Sequence, residues 1–194
     1  MKFNPVFALV LFVSGMPLAS IAEDSASLYA VEVLVFKNLH SITENDEYLV
    51  DEDGNNSDTP NIENALIPQN MPKDNSELTA AAEKMQASGD YEILSHQRWL
   101  QNVDIKTETQ PIRIATSKEI TPSLDGAITF FISRFLHLDI DLALSDNASS
   151  FLSSDTVSNS YRIKDTRRIK TAEINFFDHP NFGVLVEVIQ LKNP

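Results

Sequence analysis

Five of the chain's 15 Lys and Arg residues fall within residues 161–170 (YRIKDTRRIK), in a sequence whose 28 acidic residues give a formal net charge of −13. Read as an extended strand, this segment alternates. Arg162, Lys164, Arg168 and Lys170 share one side, and Tyr161, Ile163, Asp165, Arg167 and Ile169 share the other. A row of cations on one face binds carboxylates, best through two-pronged guanidinium contacts, so cell-wall peptides or an acidic partner are fitting ligands. Neutralisation of acids on the chain's own surface fits the cluster equally well.

His40, His96, His137 and His179 lie in separate segments, and no two share a helix face or strand face by spacing. They read as a loop histidine, two strand-surface histidines and a turn-capping histidine, which leaves no nominated metal site. His96, His137 and Trp99, the single tryptophan, are the side chains suited to a sugar ring or a protein groove. A lone Trp at a strand end suits the core as well. Arg134 interrupts an otherwise apolar face, and a buried guanidinium needs a paired, hydrogen-bonded partner. Glu173 and Asp178 are the expected partners, with His179 in the adjoining turn, and a structural role is expected for all four.

Catalytic patterns are missing. No serine sits in a G-x-S-x-G elbow or an S-x-x-K arrangement. Glycosidases need two carboxylates at a set separation, which an acid-rich composition cannot nominate, and Asp139 and Asp141 read as a solvated strand face. In residues 51–55 (DEDGN) the glycine comes too early for a calcium loop and the closing bidentate Glu is absent. The chain has no cysteine, which excludes a lipid-accepting Cys, a disulfide, a thiolate zinc site and a thiol nucleophile. The expectation is a non-enzyme with no catalytic residue, metal or cofactor. Net acidity likewise argues against nucleic acid, whose binding draws on clustered cations.

The elements that must position these residues follow from periodicity. Residues 29–36 (YAVEVLVF) alternate as a strand with one wholly apolar face. Residues 41–75 turn polar, with eight acids and no Lys or Arg between Lys37 and Lys73, and read as a flexible acidic loop. Asn75-Ser76 as N-cap, Glu77 in the first turn, Leu78, Ala81, Ala82 and Met85 at helical spacing and Gly89 as a stop predict a helix over 76–88. Residues 91–99 predict a strand, with a short one at 112–115. Residues 126–144 keep period two throughout and predict one long strand, followed by another over 161–177 and a closing one over 184–191. The sum is an α+β domain: an antiparallel sheet with a long three-strand C-terminal meander and the helix packed on one face.

The start of the chain predicts export. Lys2 precedes the apolar run at 6–13 (VFALVLFV), too short to span a bilayer, and Ser20 and Ala22 are small residues at the two positions a signal peptidase reads. The expectation is a signal peptide at 1–22 and one domain at 23–194, soluble in the periplasm, with no lipoprotein anchor and no membrane span.

Three blocks then stand in order: residues 91–101 (YEILSHQRWLQ), residues 126–144 around Arg134-Phe135-Leu136-His137-Leu138, and residues 166–188 (TRRIKTAEINFFDHPNFGVLVEV). With the opening strand and Lys37 they resemble the CsiV family of periplasmic cell-shape-integrity proteins of gamma-proteobacteria. Arg167-Arg168, Glu173, Asp178-His179-Pro180 and Gly183 carry most of the likeness, aided by His96 and Trp99. One departure is Tyr48, the nearest aromatic after the first strand, where the family pattern has a Trp. The resemblance implies a non-catalytic protein that associates with peptidoglycan and supports a bifunctional penicillin-binding protein through its outer-membrane lipoprotein activator. An envelope-assembly module that binds proteins through a sheet edge is the alternative, and a wall-cleaving hydrolase a further one.

Overall fold

The 29–36 alternation builds the centre of the molecule, because every residue of that run is buried. In the computed structural model, residues 26–41, 60, 62–73, 76–105, 109–116, 122–148 and 157–192 are described, with side chains excepted at 146–148 and 157–159. The expected signal peptide, the 51–55 run and much of the acidic loop lie outside the described residues. The elements are β1 (Ser27–Asn38), α1 (Glu77–Ser88), β2 (Tyr91–Val103), β3 (Ile112–Arg113), β4 (Ser123–Ile132), β5 (Leu136–Ala148), β6 (Val157–Arg168), β7 (Ile174–Asp178) and β8 (Phe182–Gln190). They form two antiparallel four-stranded sheets, ordered β2-β1-β8-β7 and β3-β4-β5-β6.

The sheets pack face to face. Val31, Val33 and Val35 of β1, with Trp99, Val184, Val186 and Val188, meet Ile128, Phe130, Leu138, Ile140, Leu142, Leu144 and Ile163 of the second sheet. The Tyr29 ring stands edge-on to Phe130, centroids 4.9 Å apart. Each large side chain so buried contributes about 1.5–3 kcal/mol. The other face of β1 takes the helix, where Leu78 and Ala82 cover Leu34 with help from Met85, Ile93 and Leu185. Ser76 caps that helix by accepting from Thr79 N–H at 2.9 Å, and Gly89, left-handed at φ 76°, ends it.

The helix stands where periodicity puts it, but the molecule is mainly β rather than evenly α+β, and the expected C-terminal meander divides between sheets. Residues 126–144 are not one strand. They are most of the β4–β5 hairpin, turning at Ser133-Arg134-Phe135. Ile132 pairs with Leu136, so the residue numbers of every pair in this hairpin add to an even sum and cross-strand partners share parity. Partners in an antiparallel pair point to the same side, and the apolar alternation therefore reads through the turn unbroken.

Residues 161–177 are also two strands. Ile169 N–H still donates to Leu136 C=O (2.9 Å) in the second sheet, whereas Ala172 N–H donates to Val188 C=O (2.8 Å) in the first. Between them the chain changes sheets, with Ala172 at φ 56°. Here the Arg167 guanidinium lies 3.7 Å over the Phe177 ring and pairs with Asp165 at 3.0 Å, and Tyr161 packs on His179. On the opposite side, residues 66–71 clip the sheets together: Leu66 exchanges backbone bonds with Pro111 and Arg113 (both 2.8 Å), and Met71 N–H donates to Arg98 C=O (2.7 Å).

Candidate functional site

The second sheet turns one face to solvent, and its cross-strand rungs define the site. Ala143 faces Arg162, Asp141 faces Lys164, Asp139 faces Thr166, and His137 faces Arg168, with Ala127, Thr129 and Phe131 of β4 completing the last three rungs. At one end the rungs are ionic. Arg162 forks onto Asp141 (Nε–Oδ1 2.7 Å, Nη2–Oδ2 2.8 Å), and Arg113 forks onto Asp125 (3.0 and 2.9 Å). In the middle Thr166 donates to Asp139 at 2.8 Å.

The other end is aromatic and basic. Phe131 stacks on His137, centroids 5.2 Å apart and planes 13° from parallel. The Arg168 guanidinium lies 3.5 Å over the Phe135 ring, and that of Arg134 sits 5.6 Å from the same ring. Phe135 is 40% exposed, and among the described residues neither Arg134 nor Arg168 has a carboxylate partner. A carbonyl only accepts, so the 2.8 Å contact of His137 Nδ1 with Phe135 C=O puts the proton on Nδ1 and leaves Nε2 for a ligand. Ser133 Oγ lies 3.5 Å from the same Nδ1, which is committed to Phe135 and cannot act as the serine's base. The patch thus sets side by side two guanidiniums with no carboxylate partner among the described residues, groups whose chemistry suits carboxylates, and ring surface whose chemistry suits apolar or sugar faces.

The remaining candidates divide. Lys170 is exposed past the end of β6 and pairs with Glu173 at 3.1 Å. That pairing and the Arg162–Asp141 fork are internal neutralisation, so the row of cations expected over 161–170 narrows to Arg168 and Lys164. Trp99 is only 2% exposed, with its indole N–H on Gln101, and belongs to the core. Arg134 is not buried. It stands exposed in the β4–β5 turn, away from any ion pair with Glu173 or Asp178, because the apolar face it interrupts is a hairpin end. Asp178 is exposed at the end of β7, and His179 Nδ1 accepts from Asn181 N–H at 3.1 Å in the turn that follows.

His96 lies on the far side of the molecule, in a buried cluster that periodicity did not single out. Glu32, 4% exposed on the helix side of β1, accepts from Ser76 Oγ (2.6 Å) and contacts His96 Nε2 (2.7 Å), with Arg98 Nε at 3.8 Å. Burial alone would raise the Glu32 pKa, but the His96 and Ser76 hydrogen bonds and the nearby His96 and Arg98 charges together bring it below the ordinary carboxylate value. Glu187, its cross-strand neighbour on β8, is shifted the other way: burial first, then the Glu77 and Glu32 charges, raise its pKa, with Arg98 opposing. The signal was available in the sequence, since Glu32 breaks an apolar face much as Arg134 does. Among the described residues no group of three or more His, Asp and Glu is placed to hold a metal.

Residues 6–191 match the family model described as "Peptidoglycan-binding protein, CsiV". The chain belongs to the CsiV family. The match takes in both sheets and the helix, so the aromatic–basic patch and the Glu32 cluster both fall within the CsiV region. No curated protein and no solved structure matches this CsiV-family chain. Among its described residues, no helix is long and apolar enough to cross a membrane.

Proposed function

We propose that this chain is a non-catalytic protein of the periplasm, exported by cleavage after Ala22, that holds peptidoglycan on the exposed face of its second sheet. The observation that carries the reading is the patch of Arg168, Arg134, Phe135, Phe131 and His137. It combines guanidiniums lacking carboxylate partners among the described residues with stacked rings, and peptidoglycan combines peptide carboxylates with sugar rings. Membership in a family described as peptidoglycan-binding supports the same ligand. Arg168 and Arg134 take the carboxylates, His137 Nε2 and the Asp139–Thr166 rung make polar contacts, and Lys164 adds charge attraction.

The test is retention on purified sacculi over a salt series, with wall digestion scored in the same tubes. Salt-sensitive retention without digestion, lost in an Arg134→Glu/Arg168→Glu protein of unchanged melting temperature, is expected. Equal retention of that variant would remove the patch, and released fragments would mean an enzyme. On the family resemblance, the protein's role at the wall is to support a bifunctional penicillin-binding protein through its outer-membrane lipoprotein activator. Reconstitution of those two components with the chain checks this: a stable ternary complex is expected.

A further inference from the structure

The outer edge of β2 is only partly used. Along an edge strand, backbone groups point alternately toward the neighbouring strand and away from the sheet. Arg98 C=O points away and accepts from Met71 N–H, and His96 C=O accepts from Lys73 Nζ at 2.6 Å. The same parity turns the N–H and C=O of Leu100 and Asn102 outward, two and four residues further on. Among the described residues neither has a backbone partner there.

Those unused groups border a groove of about 520 Å³. Leu66, Ile67 and Leu100 line it at 53%, 83% and 44% exposure, over the buried Trp99. Outward backbone donors and acceptors beside exposed aliphatic side chains are what an incoming strand needs: main-chain pairing along the edge, and a pocket for every second side chain. Leu66 already lies along β3 in this manner, in a parallel bridge with Ile112.

We propose that the β2 edge at Leu100–Asn102 takes an extended, apolar polypeptide segment of a partner protein as an added strand, one with no net negative charge. Charge selects this occupant. A second copy would bring another net −13 against a chain that already carries it, which opposes self-pairing at this edge. Peptidoglycan stems are short and sit better on the aromatic–basic patch. The edge is separate from that patch, so the two proposals stand or fall independently.

The probe is a display library of random twelve-residue L-peptides, selected on the protein and followed by synthesis of the enriched peptides. Winners should alternate apolar residues and carry neutral or positive charge. Their affinity by fluorescence anisotropy should fall at least tenfold in Leu100→Pro, which removes an outward N–H together with the leucine side chain beside the groove and is the kind of proline an edge strand accommodates, and should fall less in Leu100→Ala, which removes the side chain alone. The Arg168→Glu variant should bind them unchanged. On the unaltered protein, the Leu100 and Asn102 amides should become protected from hydrogen exchange when peptide is added, a readout that holds even where the proline variant folds poorly. The proposal is overturned by failure to enrich any peptide, by unchanged exchange at these two amides, or by peptides that depend on Arg168 instead.

Discussion

His137 and Arg168 are cross-strand partners on the exposed face of the second sheet, and Phe135 ties them together. The Phe135 carbonyl fixes the imidazole at 2.8 Å, and its ring lies 3.5 Å under the guanidinium. A residue in the turn thus orients a side chain from each of two strands, which preorganises the patch that we propose as the binding face.

For Arg168, reversal of charge in Arg168→Glu should reduce retention on sacculi about tenfold, the loss of one charge-assisted hydrogen bond. Stability should move by no more than about 0.5 kcal/mol, as for surface substitutions. Co-sedimentation paired with thermal melting checks both.

Arg162, on the same face, should behave in the opposite way. Arg162→Ala removes the two-pronged guanidinium contact from the Asp141 carboxylate, which is only 16% exposed, so a cost of about 1–3 kcal/mol in urea unfolding is expected. Retention of the folded fraction on sacculi should be little changed. A large binding loss with intact stability would reverse the roles assigned to these two arginines.

Glu187 sets a pH dependence. Its folded pKa is raised, so the native state holds this proton more tightly than the unfolded chain does, and stability is lost as pH rises from the ordinary value of 4.5 through the folded pKa. Glu187→Gln should therefore melt at a higher temperature than the parent at pH 7, with the gap closing toward pH 4. A gap that widens on acidification would contradict the burial argument.

Glu32 works in the other direction. Its lowered pKa contributes stability that is present above 4.5 and is lost as pH falls through the folded pKa. Ser76→Ala removes both the helix cap and one of the donors to Glu32, at a cost of about 1–2 kcal/mol. It should also move the acid limb of the stability profile to higher pH, which urea titrations at stepped pH would resolve.

Two glycines should differ in kind. Gly89→Ala meets nothing within 4 Å and should cost only the left-handed penalty, about 1–2 kcal/mol. Gly126→Ala drives a methyl into the Asp141 carbonyl and the Leu142 backbone, at φ 153°, and should cost about 3 kcal/mol or more, or prevent folding. Expression level and chemical denaturation separate the two.

The sequence was informative where pattern and packing coincide. Ser76 and Gly89 bound the helix as their capping chemistry requires, and the valines of β1 face the core on the side their alternation assigns. Strand count was harder to read, because a turn that preserves parity leaves no mark in a period-two pattern, and Ser133-Arg134-Phe135 is such a turn. The sheet change near Ala172 was equally hidden, since no glycine or proline stands at that bend. Side-chain roles on 161–170 depended on which carboxylates lie within reach, and that is fixed by register: Arg162 reaches diagonally to Asp141, whereas Arg168 stands opposite His137.

The first strand of the domain sits between β2 and β8, the last strand. Val31, Val33 and Val35 can therefore gain their second neighbour only after residues 182–190 have arrived, whereas the β4–β5–β6 meander needs no contact with either chain end. Such distant pairing carries a large loop-closure entropy and slows folding. On a growing chain the second sheet can pair while the first still waits for β8, so the two halves of the core cannot meet in full until that strand has been made.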